Sequence, residues 1–202
     1  MPSIDALEIA DEPAAWSAAG FEVEDGECRV SRMTLRLTGK GPRRGIVGWK
    51  LGDGESPHAA GPHPNGAVRI DHVVMLAPDL DTTVAELESQ GFDLRRTREG
   101  PTPGGSTRQA FFRAGEPILE VVLAPEGSSV ARDPGGPARL WGLAFGVDDL
   151  ERTARSLGDL LGTPRDAVQP GRRIATLRED AGLGPAIAFM SPGRDALGAE
   201  RG

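Results

Sequence analysis

One pattern occurs three times along this chain of 202 residues, and it leaves few folds open. Strand-like apolar runs fall at residues 4–9, 70–76 and 140–147, and each leads into acidic residues and a helix. In the second repeat Asp79 or Asp81 can cap the helix, Leu80, Val84 and Leu87 form an i, i+4, i+7 stripe, and Gly91 ends it. The third repeats this with Asp148 or Asp149, then Leu150, Ala154 and Leu157, and Gly162 as the stop. The first is shorter, with Asp11, Pro13 in the opening turn, Trp16 and a closing Gly20.

Three strand candidates follow each helix. They cover residues 21–24, 28–37 and 45–51 in the first repeat, and 93–98, 107–114 and 117–123 in the second. In the third they cover 165–169, 172–178 and 185–190. Only Gly115 and Glu116 separate the last two strands of the second repeat, which suits a hairpin. The order is β-α-β-β-β each time, so the expected class is α+β. Stretches rich in Gly, Pro and Ser at residues 52–67 and 125–139 separate the repeats. The expected units are a degenerate one at 1–52 and two fuller ones at 68–125 and 139–192. Beyond residue 191 the chain is expected to fray.

The charge balance narrows the partners. A net charge of −7, with no basic run longer than a pair, argues against nucleic acid and against an anionic membrane surface. No stretch approaches the ~20 apolar residues that span a bilayer, and the first residues lack the basic and apolar regions of a secretory signal. Cys28 is alone, which excludes an intrachain disulfide and suits a cytoplasmic setting. It reads as a small semi-buried apolar residue.

The stretch IDHVVMLAPDLDTTVAELESQGF, with PILEVVL later, resembles the first module of a glyoxalase-like (vicinal oxygen chelate) protein. WGLAFGVDDLERTARSLGDLLG through RRIATLREDAGLGPAIAFMSP resembles a second module. Such proteins open a module with an apolar strand bearing His, then an Asp-Leu pair, and often carry Glu in the fourth strand. Here His72 and Glu120 stand at those positions. The resemblance implies two βαβββ modules whose sheets curl into an open cup, as in glyoxalases and dihydroxybiphenyl dioxygenases. It also implies a small-molecule ligand in the cup. Metal-dependent relatives hold a divalent ion through the first and fourth strands; known members of the superfamily include lyases, isomerases, epimerases, extradiol dioxygenases and antibiotic-binding resistance proteins.

Aligning the repeats tests that ligand set. Ala6, His72 and Gly142 share the first-strand position, and Gly48, Glu120 and Ala188 the fourth. Only the middle repeat has metal-binding side chains, and two ligands fall short of the three that catalytic zinc and non-haem iron sites use. A third can come from His58, His63 or another chain. The other reading is metal-free: Glu120 orients His72, which then acts as acid or base. His72 shares a face with Ile70 and Val74 in this reading.

Arg108 or Arg173, on or beside third strands, can meet an anionic substrate. Of Phe111 and Phe112 one at most lines the pocket, and Phe111 is the choice; Trp141 can flank a planar ligand. His58 and His63 read as solvated loop residues, with a loop over the cup mouth as the alternative. An odd unit cannot pair within the chain, so the first repeat is expected to pack outside the cup or to complete a partner's sheet in a homodimer. The function expected is an enzyme moving protons on a small oxygenated metabolite, with or without metal. The alternative is a small-molecule-binding protein.

Overall fold

The computed structural model describes residues 1–53, 60–102 and 105–193. The second and third repeats form one eight-stranded sheet from β5 (Ala67–Ala77), β6 (Asp93–Thr102), β7 (Gly105–Arg113), β8 (Ile118–Leu123), β9 (Arg139–Val147), β10 (Arg165–Asp166), β11 (Arg173–Thr176) and β12 (Ala186–Met190). Its order is β10-β11-β12-β9-β5-β8-β7-β6. Within each repeat the first strand lies parallel to the fourth, β5 to β8 and β9 to β12. The two halves join through β5 and β9, which run antiparallel. The sheet therefore stays open, with edges at β10 and β6.

Alternation along the strands sorts the side chains. Val73, Met75, Phe112, Leu119, Phe145 and Phe189 belong to one continuous buried core. It includes Leu80 and Leu87 of helix α2 (Leu80–Ser89) and Leu150 and Leu157 of α3 (Leu150–Leu157). Asp79 caps α2 by accepting from the Thr82 amide at 2.7 Å, and Asp149 caps α3 by accepting from Arg152 at 2.9 Å. Each such cap is worth about 1 kcal/mol. Helix α3 stops four residues earlier than expected: Gly158, at φ +53°, ends it ahead of Gly162.

The first repeat departs from the other two. Strand β1 (Ser3–Ala10) and helix α1 (Pro13–Ala18) stand as expected, but residues 28–37 are a hairpin, β2 (Glu27–Val30) and β3 (Met33–Leu37). Ser31, at φ +50°, makes the turn. It is β3 that lies parallel to β1, whereas β4 (Gly45–Gly52) runs antiparallel along the other side. The sheet order is β2-β3-β1-β4. Arg36, facing Glu8 as Glu120 faces Val74, therefore takes the place that the repeat alignment gave to Gly48.

This small sheet packs on the core face of the large one. Trp16 is fully buried, and Phe21 lies 5.0 Å from it, 4.9 Å from Phe145 and 6.2 Å from Phe189. Asp11 accepts from the Trp16 indole at 3.1 Å and from the Gly184 amide at 2.8 Å. The first repeat thus packs outside the cup, one of its two expected placements.

His63 is a buried part of this seam and not a solvated loop residue: its Nδ1 accepts from the Glu22 amide at 3.0 Å. Its Nε2 stands 4.0 Å from the Cys28 sulfur, a pairing that sequence order conceals. Burial pushes the Cys28 thiol up to about 12 and the His63 ring down, which leaves two neutral groups and no reactive dyad. His58 lies outside the described residues. No helix among those described is long and apolar enough to cross a membrane.

Candidate functional site

The opposite face of the large sheet curves around a cleft of about 750 Å³. That lies within the usual range of about 300–1,000 Å³ for small-molecule sites. One side, from β5 to β8, is polar: His72, Glu120, Gln109, Arg96 and Arg98 line it. The other is built mainly of small and apolar residues, among them Gly142, Ala144, Ala188, Ile174 and Met190, with Arg165, Asp166 and Gln169 also in its lining. The registers explain the contrast. His72 pairs with Ile118 as Gly142 pairs with Ala186, and Val74 with Glu120 as Ala144 with Ala188. Equivalent strand positions carry chemistry in one half and none in the other.

Two irregularities aim the side chains. Between Ile70 and His72 strand β5 advances two residues while β9 advances one, so Asp71 is the extra residue of a bulge. The bulge changes the phase: Ile70 joins Val73 and Met75 in the core, while His72 and Val74 face the cleft. Ile70 and His72 thus do not share a face. The second bulge leaves Trp141 of β9 without a partner between the Val74–Gly142 and Met75–Leu140 pairs. Trp141 is 51% exposed and lines the cleft.

Glu120 does not orient His72. Its Oε1 accepts from Gln109 Nε2 at 2.6 Å, and His72 Nδ1 lies 2.7 Å from Asp71 Oδ2. Burial raises the Glu120 carboxyl above its ordinary range, against the pull of His72, Arg96, the Gln109 hydrogen bond and Arg98. Burial works to raise Asp71 as well, but hydrogen bonds and charge from His72 and Arg172 prevail and hold it well below the usual carboxylate range. Asp71 and Glu120 are thus driven apart by their surroundings.

Phe111 lines the cleft, and Phe112 lies in the core. Arg108 turns away from the cleft to Asp81, at 2.8 Å, and Glu99, at 2.9 Å. Arg173 pairs with Glu151 and also lies outside the cleft lining. The cationic residues of the cleft are instead Arg165 of β10 and, on the side of Glu120, Arg96 and Arg98 of β6, opposite Phe111 and Gln109 in the register. The Arg96 guanidinium sits 4.5 Å from the Phe111 ring centroid. Neither Arg96 nor Arg98 is in a salt bridge with a described residue. A strand-by-strand register would have found both, because they alternate onto the face of Gln109 and Phe111.

The donor set does not suit a resident divalent metal. The cup lining carries one imidazole, His72, and three carboxylates, Glu120, Glu126 and Asp166; the positions equivalent to His72 and Glu120 are Gly142 and Ala188, and His63 is buried in the seam. Among the described residues no three His, Cys, Asp or Glu side chains gather around a point.

Residues 69–182, more than half of the chain, match the family profile of the Glyoxalase/Bleomycin resistance protein/Dioxygenase superfamily. The chain belongs to that superfamily. This glyoxalase-superfamily chain is similar in structure to methylmalonyl-CoA epimerase from Mycobacterium tuberculosis, with 22% identity and a TM-score of 0.53 over 65% of this chain and 93% of that one. A variant of the Streptomyces coelicolor methylmalonyl-CoA epimerase, in complex with 2-nitronate-propionyl-CoA, is 25% identical. It has a TM-score of 0.50 over 62% of this chain and 97% of that one. No curated protein matches.

Proposed function

We propose that this chain is an enzyme that moves a proton at a carbon beside a carbonyl in a small, anionic, oxygenated metabolite, with Glu120 as the base. The observation that carries this is Glu120 itself: a carboxyl raised by burial, inside an accessible cleft, beside His72 and two arginines. A desolvated carboxylate is a stronger base than a solvated one, and a base tuned toward working pH is what general catalysis needs. The likeness to methylmalonyl-CoA epimerases, named for a carboxylated acyl thioester, supports the same substrate chemistry.

In this reading Arg96 and Arg98 hold the substrate's anionic group by charge-assisted hydrogen bonds. The apolar half of the cleft, with Trp141 at its rim, takes the remainder. Glu120 removes the proton, the C–H electron pair forms the C=C bond as the carbonyl π pair moves onto oxygen, and the enolate reclaims a proton at carbon from the Glu120 acid. Gln109 fixes one carboxyl oxygen throughout, which leaves the other for the substrate. No electron acceptor is required.

The bare Gly142/Ala188 half favours a second reading, a binding protein with no turnover. Incubation in D₂O with methylmalonyl-CoA and small 2-substituted dicarboxylates, followed by NMR, separates the two. The enzyme reading expects loss of the substrate's C–H signal, slowed at least ~100-fold in Glu120→Gln. Saturable binding without exchange in the wild-type protein would leave only the binding reading.

A further inference from the structure

The bulge in β5 places Asp71 between an imidazole and a guanidinium from the other module. His72 Nδ1 lies 2.7 Å from Asp71 Oδ2. Arg172 approaches the same carboxylate with both terminal nitrogens, Nη1 to Oδ2 at 2.9 Å and Nη2 to Oδ1 at 2.7 Å. Arg69 adds a bond to Oδ1 at 3.3 Å. The remaining nitrogen of Arg172 donates to the Ser191 carbonyl at 2.9 Å, so the guanidinium is held on all sides. All three side chains of the Arg172–Asp71–His72 chain are largely buried, at 14%, 9% and 3% exposure.

We infer that Asp71 and Arg172 are positioning residues that fix His72 with its proton on Nδ1 and present Nε2 to the cleft as a bare acceptor. An ionised carboxylate accepts and cannot donate. A bidentate arginine keeps Asp71 ionised, so the hydrogen between Asp71 and His72 belongs to Nδ1 in every state of the ring. The nitrogen left to take or give a proton is Nε2, and His72 lines the cleft. In water a neutral imidazole favours the opposite tautomer, so Asp71 imposes an arrangement that the ring does not choose alone. Because Arg172 precedes β11, the third repeat sets the chemistry of a histidine in the second.

The inference rests on the proposed role of the cleft, but its test does not use turnover. Nitrogen NMR of protein labelled with ¹⁵N-histidine reads the tautomer directly, with His72→Gln assigning the signal. At a pH where the ring is neutral, the wild-type protein is expected to show a protonated Nδ1 and an unprotonated Nε2. In Asp71→Asn the single amide oxygen stays at the Oδ1 position, where Arg69 and Arg172 both donate. The NH₂ then faces Nδ1, and the proton is expected to move to Nε2. A wild-type His72 carrying its proton on Nε2 overturns the inference without any variant, as does an unchanged tautomer in folded Asp71→Asn. Failure of deuterium exchange with the expected tautomer present would sink the proton-transfer reading alone.

Discussion

Gln109 and Glu120 are joined across β7 and β8 by a 2.6 Å hydrogen bond, and among the described residues Gln109 is the one side chain that bonds this half-buried carboxyl. The bond favours the charged form of Glu120, while burial favours the neutral one and prevails. The sign of the linkage follows. A carboxyl raised on folding contributes stability that is fully present below the ordinary glutamate value of about 4.3 and is lost as pH climbs through the raised value. Glu120→Gln removes that loss, so the variant should gain on wild type as pH rises from about 4 to 8. Urea titrations across that range should show the gain, and parallel curves would contradict it. Gln109→Ala should cost about 1 kcal/mol and raise Glu120 further.

Divalent metal should do nothing to this fold. A resident ion at a hundred times its dissociation constant would add about 2.7 kcal/mol to stability. Melting curves with zinc, manganese, cobalt or a chelator should therefore superimpose. A clear rise with one ion, abolished together in His72→Ala and Glu120→Ala, would show that the donor set has been misjudged.

The architecture was legible because its signals are local. Asp79 and Asp149 stand where the helix caps were expected, and the repeat alignment of His72 with Gly142 and of Glu120 with Ala188 is the register of the sheet. The site was less legible, because strict alternation fails at a bulge. Nothing in IDH marks Asp71 as an extra residue, and unbroken alternation puts it on the other face from His72. Arg108 is a different case: it alternates with Phe111, so choosing both for one face was inconsistent within a single strand. The first repeat misled because β3 and β4 exchange sides of β1, and strand order along the chain does not encode that exchange.

Cys28 should be inert in the folded protein. Its sulfur is fully buried beside neutral His63, and with the thiol at about 12 almost none is thiolate at neutral pH. Aromatic disulfide reagents should modify it only as fast as the protein opens, with the rate rising in parallel with unfolding in urea. Reaction within seconds in native buffer would show that the seam between the two sheets opens without unfolding.

The two sheets should unfold as one unit, because a single core runs through both. The aromatic contacts of Phe21 with Phe145 and Phe189 would be exposed if the first repeat left alone. Asp11 ties this seam by taking both the Trp16 indole N–H and the Gly184 amide. Asp11→Ala leaves the buried Trp16 indole N–H and the half-buried Gly184 amide unpaired, at about 1–3 kcal/mol for the buried donor. Trp16→Ala should cost about 3–5 kcal/mol through the cavity it opens. Tryptophan fluorescence can follow the seam separately from the cleft. In Trp141→Phe the remaining indoles, Trp16 and Trp49, both lie in the first repeat, whereas circular dichroism reads mainly the larger sheet. Coincident urea transitions by both probes, shifted together in Asp11→Ala, are the expected result. An early fluorescence transition ahead of the dichroism would mean that the first repeat is an independently melting layer.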